Sequence, residues 1–563
     1  MVWRLSRAPC RPRPRRLQST YPAVSEALGR YRLESTHVAR IGHARRQPKP
    51  RDPKRGPPHV KHARLLGDGN SYKTEQLEGT VKVTGLVRSI RKQKVAAFAH
   101  VADGTTLAPI QAVLSPELAK NITNGAYVEL LGKWQESQGQ GQAHELQVEN
   151  VQSIGESNSE DNPIQKQAQT PDFLRHIPHL RIRTPLQSLI ARTRSHLIYS
   201  ASNFFNYGRR QTVYQVQPPL ITSSDCEGAG EVFTLSPRST VPTPGAVEGT
   251  KEQKELYFKE PKYLTVSSQL HLEAYSAELG DVWALSPTFR AEESDTPRHL
   301  AEFYMLEAEF RGQTRLEGVT GRVKQLVHHL VKGLREDRTG KELLEYYANK
   351  KNQPAEPVEL EQRWASLEGE WKTITYTQAI EELEKAFSTT SKKLFKFQPS
   401  WDTGLQLEHE KWVVENMGEG KPVFVTDYPK KIKPFYMLPS SLAAGQGGDP
   451  AKLTVSCFDL LLPYGYCEVV GGSLREHRLE QLITNMREKG LLKKSSNPES
   501  EYPYLQPGES LGNLQWYADL RRYGSSPHGG FGLGWDRLLA YLAGVSNVRD
   551  TVGFPRAWGR ADC

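Results

Sequence analysis

Cysteine is scarce in this chain of 563 residues, and the spacing of its five cysteines argues against several kinds of site. No two of them form a C-x-x-C pair, and the sequence contains no H-E-x-x-H. We therefore expect neither a disulfide framework nor a structural zinc site, and a reducing compartment fits the chain. Long apolar runs are missing as well. No run approaches the roughly 20 residues that a membrane-spanning helix needs, so a soluble protein is expected.

Acidic residues are rare at the N-terminus, and this explains the net charge of +10. Residues 1–64 hold 17 Lys and Arg against three acids, a net charge of +14, whereas the rest of the chain carries −4. Bulk charge is thus no argument that the body binds nucleic acid. The first 25 residues hold six arginines and no acid, which is typical of organelle transit peptides. A disordered basic arm that touches RNA is the alternative, because Pro9, Pro12 and Pro14 oppose an amphipathic helix.

The pattern along the chain predicts an α+β protein with a small β-barrel followed by one large domain. Residues 79–155 alternate apolar and polar residues in short runs between Gly and Asp-Gly turns, which is typical of a small barrel. Residues 320–415 are charged and helix-prone, which indicates a helical insertion within the large domain. We predict a basic leader and linker (1–70), the barrel (71–157), a polar linker (158–170) and the large domain (171–563).

The segment S-P-T-F-R-A-E-E-S-D-T-P-R-H-L-A-E-F-Y-M-L-E-A-E, Ser286–Glu309, carries the clearest chemical signal. Arg290 precedes Glu292 by two positions, so in a strand both side chains lie on one face of the sheet. A fixed guanidinium can bind a phosphate through two hydrogen bonds and stabilise charge that develops at phosphorus. A carboxylate can accept the amino protons of adenine, and Phe303 can stack on the base. A surface strand with incidental ion pairs is the alternative.

A second segment, G-G-F-G-L-G-W-D-R-L-L-A-Y-L-A-G, begins at Gly529. Its alternating glycines allow a ligand to approach the backbone of a strand closely. Arg537 stands in the first turn of the amphipathic helix that follows, from which it can reach the same ligand. No Gly-Lys-Ser/Thr follows, so the segment is not a P-loop. A strip of glycines that serves only packing is the alternative.

Together, these two segments resemble motifs 2 and 3 of the class II aminoacyl-tRNA synthetases. A third segment resembles motif 1 of that family: the helix S-L-I-A-R-T-R-S-H-L-I-Y-S-A-S-N-F-F leads to the strand Q-V-Q-P-P-L-I-T. Pro219 lies where the family has its dimer-interface proline. The resemblance implies a homodimer whose catalytic domain is an antiparallel sheet flanked by helices.

The barrel narrows the resemblance to the subgroup with an N-terminal OB-fold, which contains the aspartyl, asparaginyl and lysyl enzymes. In that subgroup, an aromatic residue and a glutamine of the barrel hold the tRNA anticodon. Phe98 and Gln111 match these two residues, with Arg88 as a basic neighbour. Such barrels read single-stranded RNA by stacking an unpaired base on an aromatic ring. The alternative is that Phe98 belongs to the barrel core.

Several segments look asparaginyl, among them R-H-L-A-E-F-Y-M-L-E and P-V-F-V-T-D-Y-P-K-K-I-K-P-F-Y-M. The signatures R-x-x-x-x-P-E-F of bacterial-type aspartyl enzymes and H-N-P-E-F of lysyl enzymes are absent. The sequence departs from the asparaginyl pattern at Leu474, where Gln is usual, and at Trp558, where a small residue or Pro is commoner. An aspartyl or non-discriminating synthetase is the nearest alternative. A catalytically inactive RNA-binding protein with a synthetase-like fold is an alternative of another class.

The resemblance implies that the chain ligates L-asparagine to tRNA(Asn) through an asparaginyl-adenylate in the mitochondrial matrix, with ATP and Mg²⁺. It makes Arg290 and Arg537 catalytic, Glu468 the metal ligand, and Arg475 and Glu307 the residues that meet the substrate's side-chain amide. The residues matched to ATP binding are Arg290, Glu292, Arg298, His299, Leu300, Phe303, Glu468, Gly534 and Arg537. The residues matched to amino-acid binding are Glu227, Ser267, Gln269, Glu307 and Arg475.

Overall fold

The computed structural model describes the chain from residue 57 onward, apart from several short segments and one longer one. The described residues are 57–66, 79–139, 142–165, 167, 169–207, 212–223, 232–235, 257–349, 359–389, 394–440, 452–495 and 502–563. The predicted transit segment lies outside them, and so does Glu227. Within the described part of the chain, no helix has the length and apolar character needed to cross a membrane.

The N-terminal domain is a closed barrel of five strands over residues 80–155, as the alternation predicts, although residues 140–141 are not described. Its strands are β1 (Thr80–Lys92), β2 (Ala97–Ala102), β3 (Ile110–Leu114), β4 (Tyr127–Glu136) and β5 (His144–Gly155). They pair in the order β1-β2-β3-β5-β4, with only β3 and β5 parallel. Along β1 every second residue is buried, among them Val81, Val83 and Val87, so one face of each strand fills the barrel. The predicted OB-type barrel is thus confirmed.

The second domain is built on an eight-stranded sheet in the described residues, with the order β11-β12-β13-β14-β17-β10-β9-β6. These strands are β6 (Tyr214–Gln215), β9 (Val282–Phe289), β10 (Glu302–Arg311), β11 (Lys372–Thr375), β12 (Val423–Thr426), β13 (Cys457–Leu462), β14 (Cys467–Leu474) and β17 (His528–Gly534). The six central strands are antiparallel, as predicted, and the edge strands β11 and β6 pair in parallel. Two small ribbons pair β7 (Ile221–Thr222) with β8 (Tyr263–Leu264) and β15 (Lys493–Lys494) with β16 (Glu509–Ser510).

Helices cover both faces of this sheet. The helices of the second domain are α2 (Pro171–Arg175), α3 (Pro178–Arg181), α4 (Pro185–Tyr207), α5 (Gln269–Leu279), α6 (Leu316–Glu336), α7 (Arg338–Ala348), α8 (Leu360–Ser366), α9 (Tyr376–Thr389), α10 (Leu407–Trp412), α11 (Leu479–Glu488), α12 (Gln515–Arg522) and α13 (Trp535–Ala543). The short helix α1 (His62–Leu65) packs on the barrel instead, with Leu65 in the barrel core. Helix α6 buries apolar residues at helical spacing, such as Val319, Val323 and Leu326, and packs on β14 and β17. This face of the sheet carries the main hydrophobic core.

The segment predicted to be a helical insertion, 320–415, is helical over α6 to α10. It also contributes β11, an edge strand of the large sheet, and buries Leu330 and Leu343 in the main core. Its helices and its strand therefore belong to the body of the second domain. The charged sequence gave no sign of this strand, because a four-residue edge strand is too short to show an alternating pattern.

Side chains of β10 alternate between the face of the sheet that carries the main core and the opposite face. Leu306, Ala308 and Phe310 point into the main core. Successive side chains of a strand alternate between faces. Glu307 and Glu309 therefore point to the other face, where helix α5 packs against β9 and β10. A cavity opens on this face of the sheet.

Candidate active site

A cavity of about 570 Å³ brings the separate sequence signals together. Arg290 and Arg537 both line it, although 247 positions separate them in the chain. Among the described residues, those predicted for ATP and amino-acid binding that line the cavity are Ser267, Gln269, Arg290, Glu292, Arg298, His299, Leu300, Phe303, Glu307, Glu468, Arg475, Gly534 and Arg537. Every predicted ligand-binding residue of the second domain except the undescribed Glu227 is thus in one place.

The loop between β9 and β10 forms the end of the cavity that carries Arg290. This residue follows the last residue of β9, and its guanidinium lies 3.7 Å from Glu292 and 5.8 Å from the ring centroid of Phe303. Glu292 also lies 3.2 Å from His299 Nε2. Burial lowers the pKa of His299, the charge of Glu292 raises it, and Arg537 lowers it further. A cation, a carboxylate and an aromatic ring therefore stand side by side.

Glycines in β17 form the floor of the cavity between the two arginines. A Cβ at Gly532 would lie 2.6 Å from Met305 Cε, and a Cβ at Gly530 would collide with Glu309 and with the backbone of Ala308. The strand can pass this close to β10 only without side chains on that face. After Gly534 the chain turns into α13, and Arg537 in its first turn donates to the carbonyl of Glu468 at 3.0 Å.

Cations surround the carboxylate of Glu468, which is half-buried. Burial alone raises the pKa of Glu468, but Arg537, Lys433, Arg290 and Arg298 lower it by more, so the pKa lies below its ordinary value. The carboxylate is therefore ionised at neutral pH. The guanidiniums of Arg290, Arg298 and Arg537 line this end of the cavity together, which suits an anionic ligand such as a phosphate.

Asp459 on β13 joins this cluster, and the sequence analysis missed it. Lys433 Nζ donates to both of its carboxylate oxygens, at 2.8 and 3.1 Å. A Cβ placed on Gly471 would lie 3.4 Å from Asp459 Oδ1 and 3.5 Å from Glu468 Oε1, so the two carboxylates face one small space. Burial raises the pKa of Asp459, and the charge of Glu468 raises it further, although Lys433 opposes both effects. Two hard oxygen donors that repel each other are suited to a divalent cation such as Mg²⁺.

The other end of the cavity is formed by α5 and the second half of β10. Glu307 accepts hydrogen bonds from the hydroxyls of Ser267 and Ser268 and from the backbone N–H of Ser268. Ser267 and Gln269 both line the cavity beside it. This carboxylate is therefore fixed by the turn that begins α5.

Arg475 has a buried partner that the sequence did not predict. It lines the cavity with Glu307, as expected, and its guanidinium donates to both oxygens of Glu309, at 3.1 Å each. Glu309 is two residues beyond Glu307 and lies on the same face of β10. The sequence showed that Glu307 and Glu309 are two residues apart, but it did not show that Glu309 pairs with Arg475. Burial raises the pKa of Glu309, and Arg475 lowers it.

A second buried carboxylate, Glu273 of α5, stands behind this pair. It accepts from Arg521 at 2.6 Å, from Tyr517 at 2.7 Å and from His528 at 3.0 Å, and Arg475 lies 4.0 Å away. Glu273, Glu309 and His528 are close enough to share a metal ion. Two guanidiniums already neutralise the two carboxylates, so the charges of this cluster do not favour a cation.

The barrel carries the predicted anticodon residues on its outer face, with one exception. Phe98 is outside the barrel core and half-buried, with the guanidinium of Arg91 at 5.7 Å from its ring centroid. Gln111 on the adjacent strand donates to Glu145 at 3.0 Å. Arg88 instead donates to the backbone carbonyl of Arg183 in the second domain. The pairing of β1 and β2 shifts at this position, and such a bulge redirects a side chain.

The comparisons with known proteins agree with this geometry. The family model described as tRNA synthetases class II (D, K and N) matches residues 171–558, and the OB-fold nucleic acid binding domain model matches residues 81–154. The mitochondrial asparagine–tRNA ligase of Schizosaccharomyces pombe is 40% identical over 483 residues, which cover 85% of this chain and 94% of the relative. The asparagine–tRNA ligase of Legionella pneumophila is 38% identical over 86% of this chain and 96% of its own.

A solved structure is similar over the same length. The asparaginyl-tRNA synthetase from Pyrococcus horikoshii, complexed with asparaginyl-adenylate, has a TM-score of 0.67 and 28% identity, and the match covers 85% of this chain and 95% of that one. The sequence motifs, the paired barrel and sheet, and these relatives agree with one another. This chain therefore belongs to the class II tRNA synthetases of the D, K and N group, and within that group to the asparagine–tRNA ligases.

Proposed function

We propose that this chain joins L-asparagine to tRNA(Asn) in two steps and supplies mitochondrial translation. The observation that carries the proposal is the single cavity in which Arg290 and Arg537 meet beside Glu307, Glu309 and Arg475. One end of the cavity suits a triphosphate and the other suits a small polar side chain. Because both ends belong to one cavity of about 570 Å³, a triphosphate and an amino acid that bind there are held side by side for reaction.

In the first step, the carboxylate of asparagine attacks the α-phosphorus of ATP, and pyrophosphate leaves. Arg290 binds the α-phosphate and stabilises the charge that develops there. Phe303 stacks on the adenine, Glu292 accepts its amino protons, and His299 and Arg298 hold the far phosphates with Arg537. In the second step, a ribose hydroxyl of the tRNA terminus attacks the acyl carbon of the adenylate, and AMP leaves. Phe98 and Gln111 on the barrel hold the anticodon.

Mg²⁺ fits the space between Asp459 and Glu468, and these two carboxylates would hold it. When bound, the ion offsets the charge of the triphosphate and of its leaving pyrophosphate. The residues themselves keep the site ready for it, because Lys433 and the surrounding arginines hold both carboxylates in place.

Replacement of Arg290 tests the adenylate step. We expect Arg290→Ala to lower asparagine-dependent exchange of pyrophosphate into ATP by about 100-fold or more, since one preorganised charge is lost from the transition state. Arg315→Ala removes an arginine whose side chain is 81% exposed and should leave the exchange rate unchanged. Exchange that persists at the wild-type rate in Arg290→Ala would refute the assignment of this loop to the phosphate.

The amide end of the cavity explains a preference for asparagine over aspartate. Arg475 is already neutralised by Glu309, so it offers hydrogen-bond donors without an unpaired charge. The side-chain oxygen of asparagine can accept from Arg475, and its NH₂ can donate to Glu307 or Glu309. Aspartate offers acceptors only, and its charge would be repelled by these two carboxylates.

Neutralising either carboxylate should therefore weaken discrimination. For Glu309→Gln and for Glu307→Gln, we expect the ratio of kcat/KM for asparagine to that for aspartate to fall by about tenfold or more, the size of a lost charge repulsion. The ratio is measured in one sample, so partial unfolding does not affect it. Glu302→Gln on the opposite face of β10 is the matched control. Should the ratio stay constant in both variants, the charge argument fails.

We also propose that the active form is a homodimer joined through the surface around Pro219. This proline is exposed, and exposed apolar side chains lie near it along the chain, with Tyr199 66% and Tyr214 50% exposed. Neighbouring exposed apolar side chains mark interaction sites. Two copies related by a twofold axis would cover the same surface on each other.

Sedimentation velocity checks this proposal. The wild type should sediment as a dimer at micromolar concentration, and Tyr199→Glu should shift it towards the monomer because a charge would be buried in the contact. Tyr523→Glu, at a position that is 73% exposed in α12's C-terminal cap, should leave the dimer intact. A wild type that sediments as a monomer would contradict the proposal.

Targeting to the mitochondrial matrix is proposed from the Arg-rich, acid-free leader, and yeast and fission-yeast relatives are named as mitochondrial enzymes. A fluorescent protein fused after residue 40 should be imported into mitochondria, since an inside-negative potential draws in a basic segment. The same fusion with the six arginines of the first 25 residues replaced by Gln should remain in the cytosol. A wild-type fusion that stays cytosolic would count against matrix targeting.

A further inference from the structure

A second cavity, of about 320 Å³, lies beside the active site on the outer side of the β9–β10 loop. The two cavities share that loop as a wall: Asp295 lines the second cavity, and Arg298 lines the first. The turn at residues 548–550 is shared in the same way, with Val548 on one side and Arg549 on the other. Arg549 links these two segments, because it forms an ion pair with Asp295 of the loop at 2.7 Å.

The C-terminal segment presents an aromatic ring to this second cavity. Ala557 and Arg560 pair through two backbone hydrogen bonds of 3.0 and 2.9 Å, so Trp558 and Gly559 form the tip of a tight turn. Gly559 is the third residue of this turn, and its φ of +73° suits the position that takes a positive φ in a type II turn. Trp558 at this tip is 57% exposed. The segment is anchored to the β9–β10 loop, because Ala301 N–H donates to the carbonyl of Arg556 at 2.8 Å.

The polar groups around the ring favour an unpaired nucleotide over a duplex. Arg175, Arg549 and Arg560 line the cavity, but each has an acidic partner: Asp550, Asp295 and Asp562. The surface is therefore close to neutral, so stacking and hydrogen bonds would hold a nucleotide here more than the charge of its phosphates. Asp295 and Asp172 have side chains that are 73% and 78% exposed, so they can accept from base amino groups or ribose hydroxyls. An exposed ring with exposed donors and acceptors beside it is how proteins hold single-stranded RNA.

We infer that this cavity, here called the tail pocket, holds the unpaired 3′ end of the tRNA, with one base stacked on Trp558. The inference rests on the proposed function, since the acylation step requires the terminal ribose to reach the adenylate in the neighbouring cavity. The last unpaired nucleotides must cross one wall of that cavity. The β9–β10 loop is one such wall, and the exposed ring of Trp558 lies on the side of this loop that faces away from the active site.

The experiment compares full-length tRNA(Asn) transcript with the same transcript lacking its unpaired 3′ nucleotides. We expect Trp558→Ala to weaken binding of the full transcript by about tenfold, as the loss of one stacked base does. Binding of the truncated transcript should not change, so the affinity difference between the two transcripts shrinks. Trp558→Phe should keep most of that difference because it keeps a ring. Tyr523→Ala, which removes a ring that is 73% exposed elsewhere, should bind both transcripts like the wild type.

Pyrophosphate exchange separates this inference from the proposed function, because it needs asparagine and ATP but no tRNA. Exchange should be equal in the wild type and in Trp558→Ala, while the KM for tRNA in aminoacylation rises in the variant alone. Equal weakening of both transcripts would overturn the inference, because the pocket would then contact the paired stem. Unchanged binding of both transcripts would also overturn it. Absence of exchange in the wild type would refute the proposed function, and the inference with it.

Discussion

The buried ion pair between Arg475 and Glu309 is the interaction on which the proposed selectivity for asparagine depends. Both side chains are almost fully buried, with side-chain exposures of 3% and 1%. Taking two charges out of water costs several kcal/mol per ion, and the pair is stable only if its hydrogen bonds are complete. Glu273 and Arg521 complete the set behind it, so two cations balance two carboxylates. A neutral side chain leaves this balance intact, whereas an additional carboxylate would disturb it.

The opposite end of the cavity, around Arg290 and Arg537, brings several cations close together. Arg290, Arg298, Arg537 and Lys433 all act on Glu468, and their field lowers the pKa of this carboxylate although desolvation raises it. Cations that repel one another must be held by the fold. Asp536, next to Arg537, accepts from Arg194 of α4 at 2.5 Å and from the backbone N–H of Tyr304, next to Phe303, at 2.8 Å. Three separate segments are thereby tied together directly behind the phosphate end.

Strand alternation made much of this site predictable from the sequence. The face of β10 that carries Phe303 and Glu307 follows from local spacing and lines the cavity, as do Gly532 and Gly534 of β17. Arg290 and Glu292 line it as well, but the prediction that a strand places them on one face was wrong, because β9 ends at Phe289 and both residues lie in the loop that follows. The residues that contact these site residues lie far away in the sequence. Asp459 reaches Glu468 through the pairing of β13 with β14, and Glu273 reaches Glu309 through the packing of α5 on β10. No local pattern encodes such long-range contacts. Arg88 was assigned to the anticodon as a basic neighbour of Phe98 and Gln111. Its contact with Arg183 could not be foreseen, because the bulge that redirects its side chain depends on the register of β1 against β2.

The two ends of the cavity meet on neighbouring strands, and this has a consequence for catalysis. Glu309 pairs with Gly530 across β10 and β17, and Glu307 pairs with Gly532, so the selective end and the glycine floor are parts of one hydrogen-bonded ladder. Any side chain at Gly530 would push directly against Glu309 and the backbone that carries it. The glycines that let the substrate approach the strand therefore also leave the space in which the Arg475–Glu309 pair forms. In the proposed mechanism, phosphate binding and selection of the amide therefore both depend on the absence of side chains on this face of β17.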